Sequence, residues 1–308
     1  MLNQGEPLVS VVMNCYNCAQ FLQEAIDSVY AQTYSNWEIL LWDNASIDGS
    51  AKIAKSYDHK IKYFISDTNT PLGEARNLVL KEATGVYIAF LDCDDRFYPG
   101  KLAEQVRMMQ SGDFGLCYGS ADFISSEGEI FYQKVVKQKH GQLFGSLLKH
   151  YDINMQTAML KRSILAENNI SFDVNQRFSP EYDLFMEVAL NTKAVVSRSV
   201  LSQYRVHDSS LTHQSQHLIG KEGRETLARL DKKYQISQQF GSQLRYAKAV
   251  FDFQDAVFSL QSGDVQKAKK WMYFNRFFYA KSFIVSLLIM LGLSSQAILS
   301  MIGKKKKL

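Results

Sequence analysis

Three acidic residues lie close together in the run Asp92-Cys93-Asp94-Asp95, directly after an apolar stretch. Carboxylates crowded in this way repel one another, and a divalent cation relieves the repulsion. Hard oxygen ligands favour Mg2+ or Mn2+ over zinc. A cation held by few carboxylates keeps positions open for water and phosphate oxygens, and can therefore stabilise a diphosphate leaving group. The competing reading is a solvated acidic turn that caps a helix starting near Pro99. Cys15 and Cys18 form a second candidate group. Structural zinc would need another such pair at similar spacing, and the remaining cysteines, Cys93 and Cys117, do not supply one. Reduced, partly buried thiols are the simpler expectation.

These side chains need elements to hold them. Residues 9–13 form an apolar run broken by Asn14-Cys15-Tyr16-Asn17, which reads as a buried parallel strand and the loop at its carboxyl end. Apolar residues recur at helical spacing from 21 to 32. Residues 37–42 read as a second strand, ended by Asp43-Asn44-Ala45-Ser46; 50–57 as a helix; 61–65 as a third strand. Residues 73–83 read as a helix terminated by Gly85, and 86–91 as a fourth strand that runs into the acidic cluster. Strands alternating with helices imply βαβ units and a parallel sheet, in which ligands bind beyond the carboxyl ends of the strands. The loops 14–17, 43–46 and 92–95 should therefore gather on one edge.

The stretch Val9-Ser10-Val11-Val12-Met13-Asn14-Cys15-Tyr16-Asn17, then Ala31-Gln32-Thr33-Tyr34, Asp43-Asn44-Ala45-Ser46-Ile47-Asp48-Gly49-Ser50, Gly73-Glu74-Ala75-Arg76-Asn77 and Asp92-Cys93-Asp94-Asp95 occur in that order. Together they resemble the nucleotide-sugar-binding half of family 2 glycosyltransferases with the GT-A fold. The resemblance implies an α/β fold, Rossmann-like and mostly parallel, with helices on both sides. It further implies that Asn14 and Tyr16 lie in the donor site, with Tyr16 stacked on the base. Asp43 would accept a hydrogen bond from the base, as a carboxylate can from an imide N–H. Arg76 would lie near the donor phosphates or the acidic cluster, where a fixed cation is useful. Asp92 would contact the donor ribose or sugar, Asp94 would ligate the metal, and Asp95 would fix the loop or share the metal. Ser179-Pro180-Glu181-Tyr182-Asp183 resembles the acceptor-side motif, with Pro180 where an acid is usual. Glu181 then falls at the position of the base that takes the acceptor's proton in an inverting displacement, and Asp183 is acceptor-binding or structural. Tyr204-Arg205-Val206-His207 resembles the end of the catalytic domain, with His207 a further metal or diphosphate contact.

The resemblance covers residues 8 to 215, so a catalytic domain is expected over 1–215 and a helical region over 216–308. The chain has 308 residues and is 46% hydrophobic, enough to build a full core. A net charge of +4 is too small to suggest nucleic-acid binding by itself. No acid follows Asp264, whereas Lys267, Lys269, Lys270, Arg276, Lys281 and the four lysines at 304–307 do. The uncharged window between Lys281 and Lys304 is diluted by serines and interrupted by Gly292. An interfacial helix is expected there, with a membrane span and a soluble packing element as alternatives. The N-terminus carries no secretory pattern, so the cytosolic face of the inner membrane is the expected location. The expected activity is metal-dependent, hexosyltransferase-type transfer from a nucleotide-sugar donor, expected to be UDP-linked, to a glycan or lipid-linked acceptor. The competing readings are a non-catalytic binding subunit of the same fold and a nucleotidyltransferase. The second would want a glycine-rich basic loop after the first strand, where this chain has Asn14-Cys15-Tyr16-Asn17.

Overall fold

The computed structural model describes residues 5–177, 179–207, 210, 215–275 and 279–302. Arg276 and the four lysines at 304–307 lie outside the described residues. The chain divides into two compact units, one of residues 1–144 with 152–210 and one of residues 145–151 with 211–308.

The first unit begins with β1 (Val9–Cys15), α1 (Ala19–Tyr30), β2 (Trp37–Asp43), α2 (Ser50–Ala54), β3 (Ile61–Ile65), α3 (Leu72–Lys81) and β4 (Tyr87–Phe90). These are the alternating elements anticipated from periodicity. β5 (Arg96–Phe97), α4 (Lys101–Gln110), β6 (Leu116–Ile124) and β7 (Ile130–Lys134) follow; α5 (Phe144–Lys149), next in the chain, belongs from Gly145 onward to the second unit. β8 (Met159–Lys161), α6 (Ser163–Glu167), α7 (Pro180–Asn191) and β9 (Ala194–Arg205) complete the unit. Among the described residues nine strands form one sheet in the order β3-β2-β1-β4-β8-β6-β9-β5, with β7 on β6. β3, β2, β1 and β4 are parallel; β8 enters antiparallel to β4 and begins a mixed half in which β6 and β9 are parallel. The mixed half comes from the short, variably spaced strands after residue 114, where no regular βαβ alternation imposes one direction.

Burial explains the parallel half. β1 is apolar and inaccessible over Val9, Val11, Val12 and Met13, as expected of a strand covered on both faces. α1 packs Phe21, Leu22, Ala25, Ile26 and Val29 against it. Register then sets the site. β1 and β2 pair from Val9↔Trp37 to Cys15↔Asp43, and β1 and β4 pair up to Val12↔Phe90. Asn14 and Asp92, each two residues beyond that last pair, are therefore level with each other. β9 runs beside β6 to the pair Ile124↔Arg205, and Arg96 pairs with Gln203, which carries the end of β9 to the acidic loop.

In the second unit, α8 (Ile219–Tyr234), α9 (Ile236–Gln261), α10 (Val265–Asn275), α11 (Ala280–Met290) and α12 (Ser295–Met301) follow one another. Its core joins Phe253, Ala256 and Leu260 of α9 to Ala268 and Met272 of α10, Val285 and Ile289 of α11 and Ile298 of α12. The apolar window after Lys281 is split in two by a turn in which Gly292 has φ 75°. Among the described residues no helix is long and apolar enough to cross a membrane.

Candidate functional site

The first two loops are knitted together by side chains. Asp43 is inaccessible; its Oδ1 accepts from the Ser46 amide at 2.8 Å and its Oδ2 from the Tyr63 hydroxyl at 2.7 Å. The Asn17 amide donates to Ser46 Oγ and the Ile47 amide to Asn17 Oδ1, both at 2.9 Å. Asp48 accepts from the Ala19 amide at 2.9 Å and so takes up a free N–H at the start of α1. Asn17 and Ala45 adopt left-handed backbone, at φ 49° and 66°; this conformation costs an alanine about 1 kcal/mol and is tolerated because the surrounding bonds fix the loop. Tyr16 stands out from this scaffold, 53% exposed. Both amide atoms of Asn14 are buried and have no hydrogen-bond partner among the described residues. A buried amide without a partner is uncommon, because buried polar side-chain atoms are mostly hydrogen-bonded.

Arg76 is the centre of the arrangement. Its side chain is only 3% exposed; Nη2 donates to Asp92 Oδ1 at 3.1 Å and Nη1 to Glu181 Oε2 at 3.0 Å. The two carboxylates come from segments far apart in the chain, and one planar guanidinium holds both. The run Gly73-Glu74-Ala75-Arg76-Asn77 explains how. A Cβ at Gly73 would sit 2.5 Å from the Asp173 carbonyl oxygen, so glycine lets α3 approach that segment. Asn77 Nδ2 donates to the Phe172 carbonyl at 2.8 Å, and its Oδ1 accepts from the Phe172 amide at 2.9 Å. Thus α3 and the segment leading to α7 are locked, and Glu181 is delivered in the first turn of α7 behind Pro180. Ser179 Oγ donates to Glu181 Oε1 at 3.0 Å. Asp183 is buried on the same helix.

The acidic cluster splits by environment. Asp95 is buried: Oδ1 accepts from the Arg205 amide and Oδ2 from Gln156 Nε2, both at 2.7 Å. Burial raises its carboxyl well above the ordinary value, Asp94 and Asp92 add to the rise, and the Arg205 amide and charge oppose it. Desolvation also raises Asp92; Arg76 opposes this, while Asp94 and Glu181 add to it. Asp94 reaches outward to His207, with Oδ2 and Nε2 2.9 Å apart. Arg205 was not singled out by sequence reasoning, yet it organises this end: Nε donates to the Asp94 carbonyl at 2.8 Å and Nη2 to Glu24 at 2.7 Å, with the guanidinium 4.5 Å from the Phe21 ring. The available signal was its spacing of two from His207 at a strand end. Beneath the loop, Cys93 Sγ donates to the Asn14 carbonyl at 2.8 Å. Hydrogen bonding to Cys15 and Cys18 pushes the Cys93 thiol well up; Cys15 and Cys93 are buried, Cys18 is half-buried, and all four cysteines in the chain are free.

Among the described residues no three His, Cys, Asp or Glu side chains converge on one point as metal ligands. The donors present still suit Mg2+ or Mn2+, which keep several waters and bind through one or two protein ligands plus substrate phosphates. Asp94 and His207 place an oxygen and a nitrogen donor side by side, near carboxylates whose mutual repulsion favours added positive charge.

The model of the family described as "Glycosyl transferase family 2" matches residues 10–167. A 208-residue alignment gives 33% identity to the UDP-Glc:alpha-D-GlcNAc-diphosphoundecaprenol beta-1,3-glucosyltransferase WfgD of Escherichia coli, covering 67% of this chain and 79% of that one. The fold is similar to Staphylococcus aureus TarS 1-349 in complex with UDP-GlcNAc, with a TM-score of 0.60, 17% identity and 92% of each chain covered. It is also similar to the mannosyltransferase PcManGT from Pyrobaculum calidifontis in complex with GDP-Man and Mn2+, with a TM-score of 0.62, 17% identity, 87% of this chain and 75% of that one covered. With its parallel first half, mixed second half and flanking helices, the chain has the GT-A fold and belongs to glycosyl transferase family 2: it is a glycosyltransferase.

Proposed function

We propose that this glycosyltransferase moves a hexose from a uridine-diphosphate donor to a hydroxyl of a lipid-linked glycan, with inversion at the anomeric carbon. The observation that carries the reading is the Arg76 bridge between Asp92 and Glu181. It ties the donor-side acid to an acceptor-side carboxylate across the space where the two substrates would meet. WfgD is named for a UDP-Glc donor and a diphosphoundecaprenol acceptor, and TarS binds UDP-GlcNAc; these support the donor and acceptor classes here.

In this reading Tyr16 stacks on the base and the orphaned amide of Asn14 finds its partner on the donor. Asp43 frames the base pocket through Ser46 and Tyr63, and each carboxylate oxygen keeps a lone pair with which it can accept from the base. Asp94 and His207 would hold Mg2+ or Mn2+, which would supply positive charge against the leaving diphosphate. Asp95 keeps the loop in shape, and Asp183 supports α7 or the acceptor. The Glu181 carboxylate takes the acceptor proton as the hydroxyl oxygen forms its bond to the anomeric carbon. The bond from that carbon to the diphosphate breaks, and the electron pair leaves with the phosphate oxygen. Glu181, 26% exposed, is open to an incoming hydroxyl while its other side is fixed. Catalysis by residues 1–215 at the cytosolic face of the inner membrane fits a lipid-carried acceptor, with 216–308 as the helical appendage.

The test is Glu181→Gln. Turnover should fall by about 10²–10⁴-fold while donor affinity stays nearly constant. A comparable loss of donor binding would show that Glu181 is not the base.

A further inference from the structure

α11 buries two serines beside its core residues while it exposes a row of larger apolar side chains. Its buried side carries Ser282, Val285, Ser286 and Ile289, and the two serine hydroxyls have no hydrogen-bond partner among the described residues. Its outward side carries Phe283, Ile284, Leu287 and Met290, continued by Leu291 just past the helix end; these are between 43% (Leu287) and 67% (Leu291) exposed. At about 100° per residue they fill one arc of roughly 120°, a continuous apolar stripe facing water. Scattered exposed apolar residues need no explanation, but a stripe on a helix that turns its serines inward does.

Charge decides what covers it. Lys267, Lys269 and Lys270 of α10 and Lys281 of α11 are all exposed, and no Asp or Glu follows Asp264 in the chain. A second copy meeting this face across a two-fold axis would bring like charges together. A surface that is apolar beneath and anionic above satisfies both features. α11 has 11 residues, so it is about 16 Å long, half of the ~30 Å hydrocarbon core, and it can lie in an interface but not cross it. We propose that the outward stripe of α11, acting together with the exposed lysines of α10 and α11, is the surface by which the protein docks on an anionic phospholipid bilayer. This extends the reading of a lipid-linked acceptor and can fail separately from it.

The experiment is sedimentation of the full chain, without nucleotide sugar, with vesicles of phosphatidylglycerol and phosphatidylcholine or of phosphatidylcholine alone. Binding is expected to the anionic vesicles and to weaken as salt is raised. Leu287→Gln with Met290→Gln should weaken it by about tenfold or more, with circular dichroism and Tm unchanged. Lys267→Gln, Lys269→Gln and Lys270→Gln together should weaken it by at least about tenfold, which keeps the test open if the first variant does not fold. Absent vesicle binding, equal binding by both folded variants, or a dimer lost in the Leu287/Met290 variant would overturn the docking surface. UDP-sugar turnover measured without vesicles separates the two readings. Lost binding with turnover intact removes the surface alone, and intact binding without turnover removes the catalytic reading alone.

Discussion

Replacing Arg76 tests the link between the two halves of the site. Its guanidinium donates to Asp92 at 3.1 Å and to Glu181 at 3.0 Å, and it is 3% exposed. In Arg76→Met both carboxylates lose their counter-charge while Asp94 remains beside them. Breaking a fully buried pair costs about 3–5 kcal/mol. Here the partners are 34% and 26% exposed, so water recovers part of that, and about 2 kcal/mol of lost stability is expected. Arg76 holds the Asp92 carboxyl down against desolvation and its acidic neighbours. Without it the folded-state value rises further, the folded chain takes up a proton more readily, and the deficit should narrow as pH falls through the raised Asp92 range. Arg76→Lys keeps the charge but has no fork to hold two carboxylates. Its stability should lie within about 1 kcal/mol of the parent. Its turnover at saturating donor should fall by about 100-fold, because Glu181 is freed by the order of an ångström from its working position. Urea denaturation from pH 4 to 8 and single-turnover kinetics read these outcomes. Full turnover in Arg76→Lys, or a pH-independent deficit in Arg76→Met, would refute the reasoning.

Other perturbations probe separate parts. Asp94→Asn and His207→Gln should each weaken Mn2+-dependent UDP binding by at least about tenfold in calorimetry; wild-type affinity in both would remove them as ligands. Asn77→Leu removes the paired bonds to Phe172 and should cost about 2 kcal/mol in urea denaturation, lowering turnover more than donor affinity. Lys101 is buried, donates to Gln105 Oε1 at 2.7 Å, and is pushed from 10.5 down to about 7 by burial. Between those values the unfolded chain holds the extra proton, so stability should rise with pH across pH 7–10.5. Lys101→Met should flatten this rise and be more stable at pH 7 by roughly 1–3 kcal/mol; an unchanged slope would mean that the ammonium stays charged in the fold.

Much of the candidate site at the ends of β1, β2 and β4 is legible in the chain because it is local. β1, β2 and β4 are short apolar runs, each ending in a polar loop, and parallel pairing of such runs forces the loops to one edge. Asn14, Tyr16, Asp43 and Asp92 are therefore grouped by periodicity alone. The unequal environments of the three acids are not local. Asp95 is set apart because Arg205 and Gln156, more than 60 residues away, bury it, while Asp94 next to it stays turned toward His207. Likewise, a window free of charge can be read from the composition of the C-terminus, but the direction in which its apolar residues point cannot. Hydrophobicity selects Val285 and Leu287 equally; only packing against α9, α10 and α12 buries one and leaves the other in water. The Arg76 bridge shows the same division. The chain supplies a cation before the fourth strand and a glutamate at the start of a later helix, each with an unremarkable local meaning. They become one unit because Gly73 admits the Asp173 backbone and Asn77 grips Phe172, a contact between segments that no local period encodes.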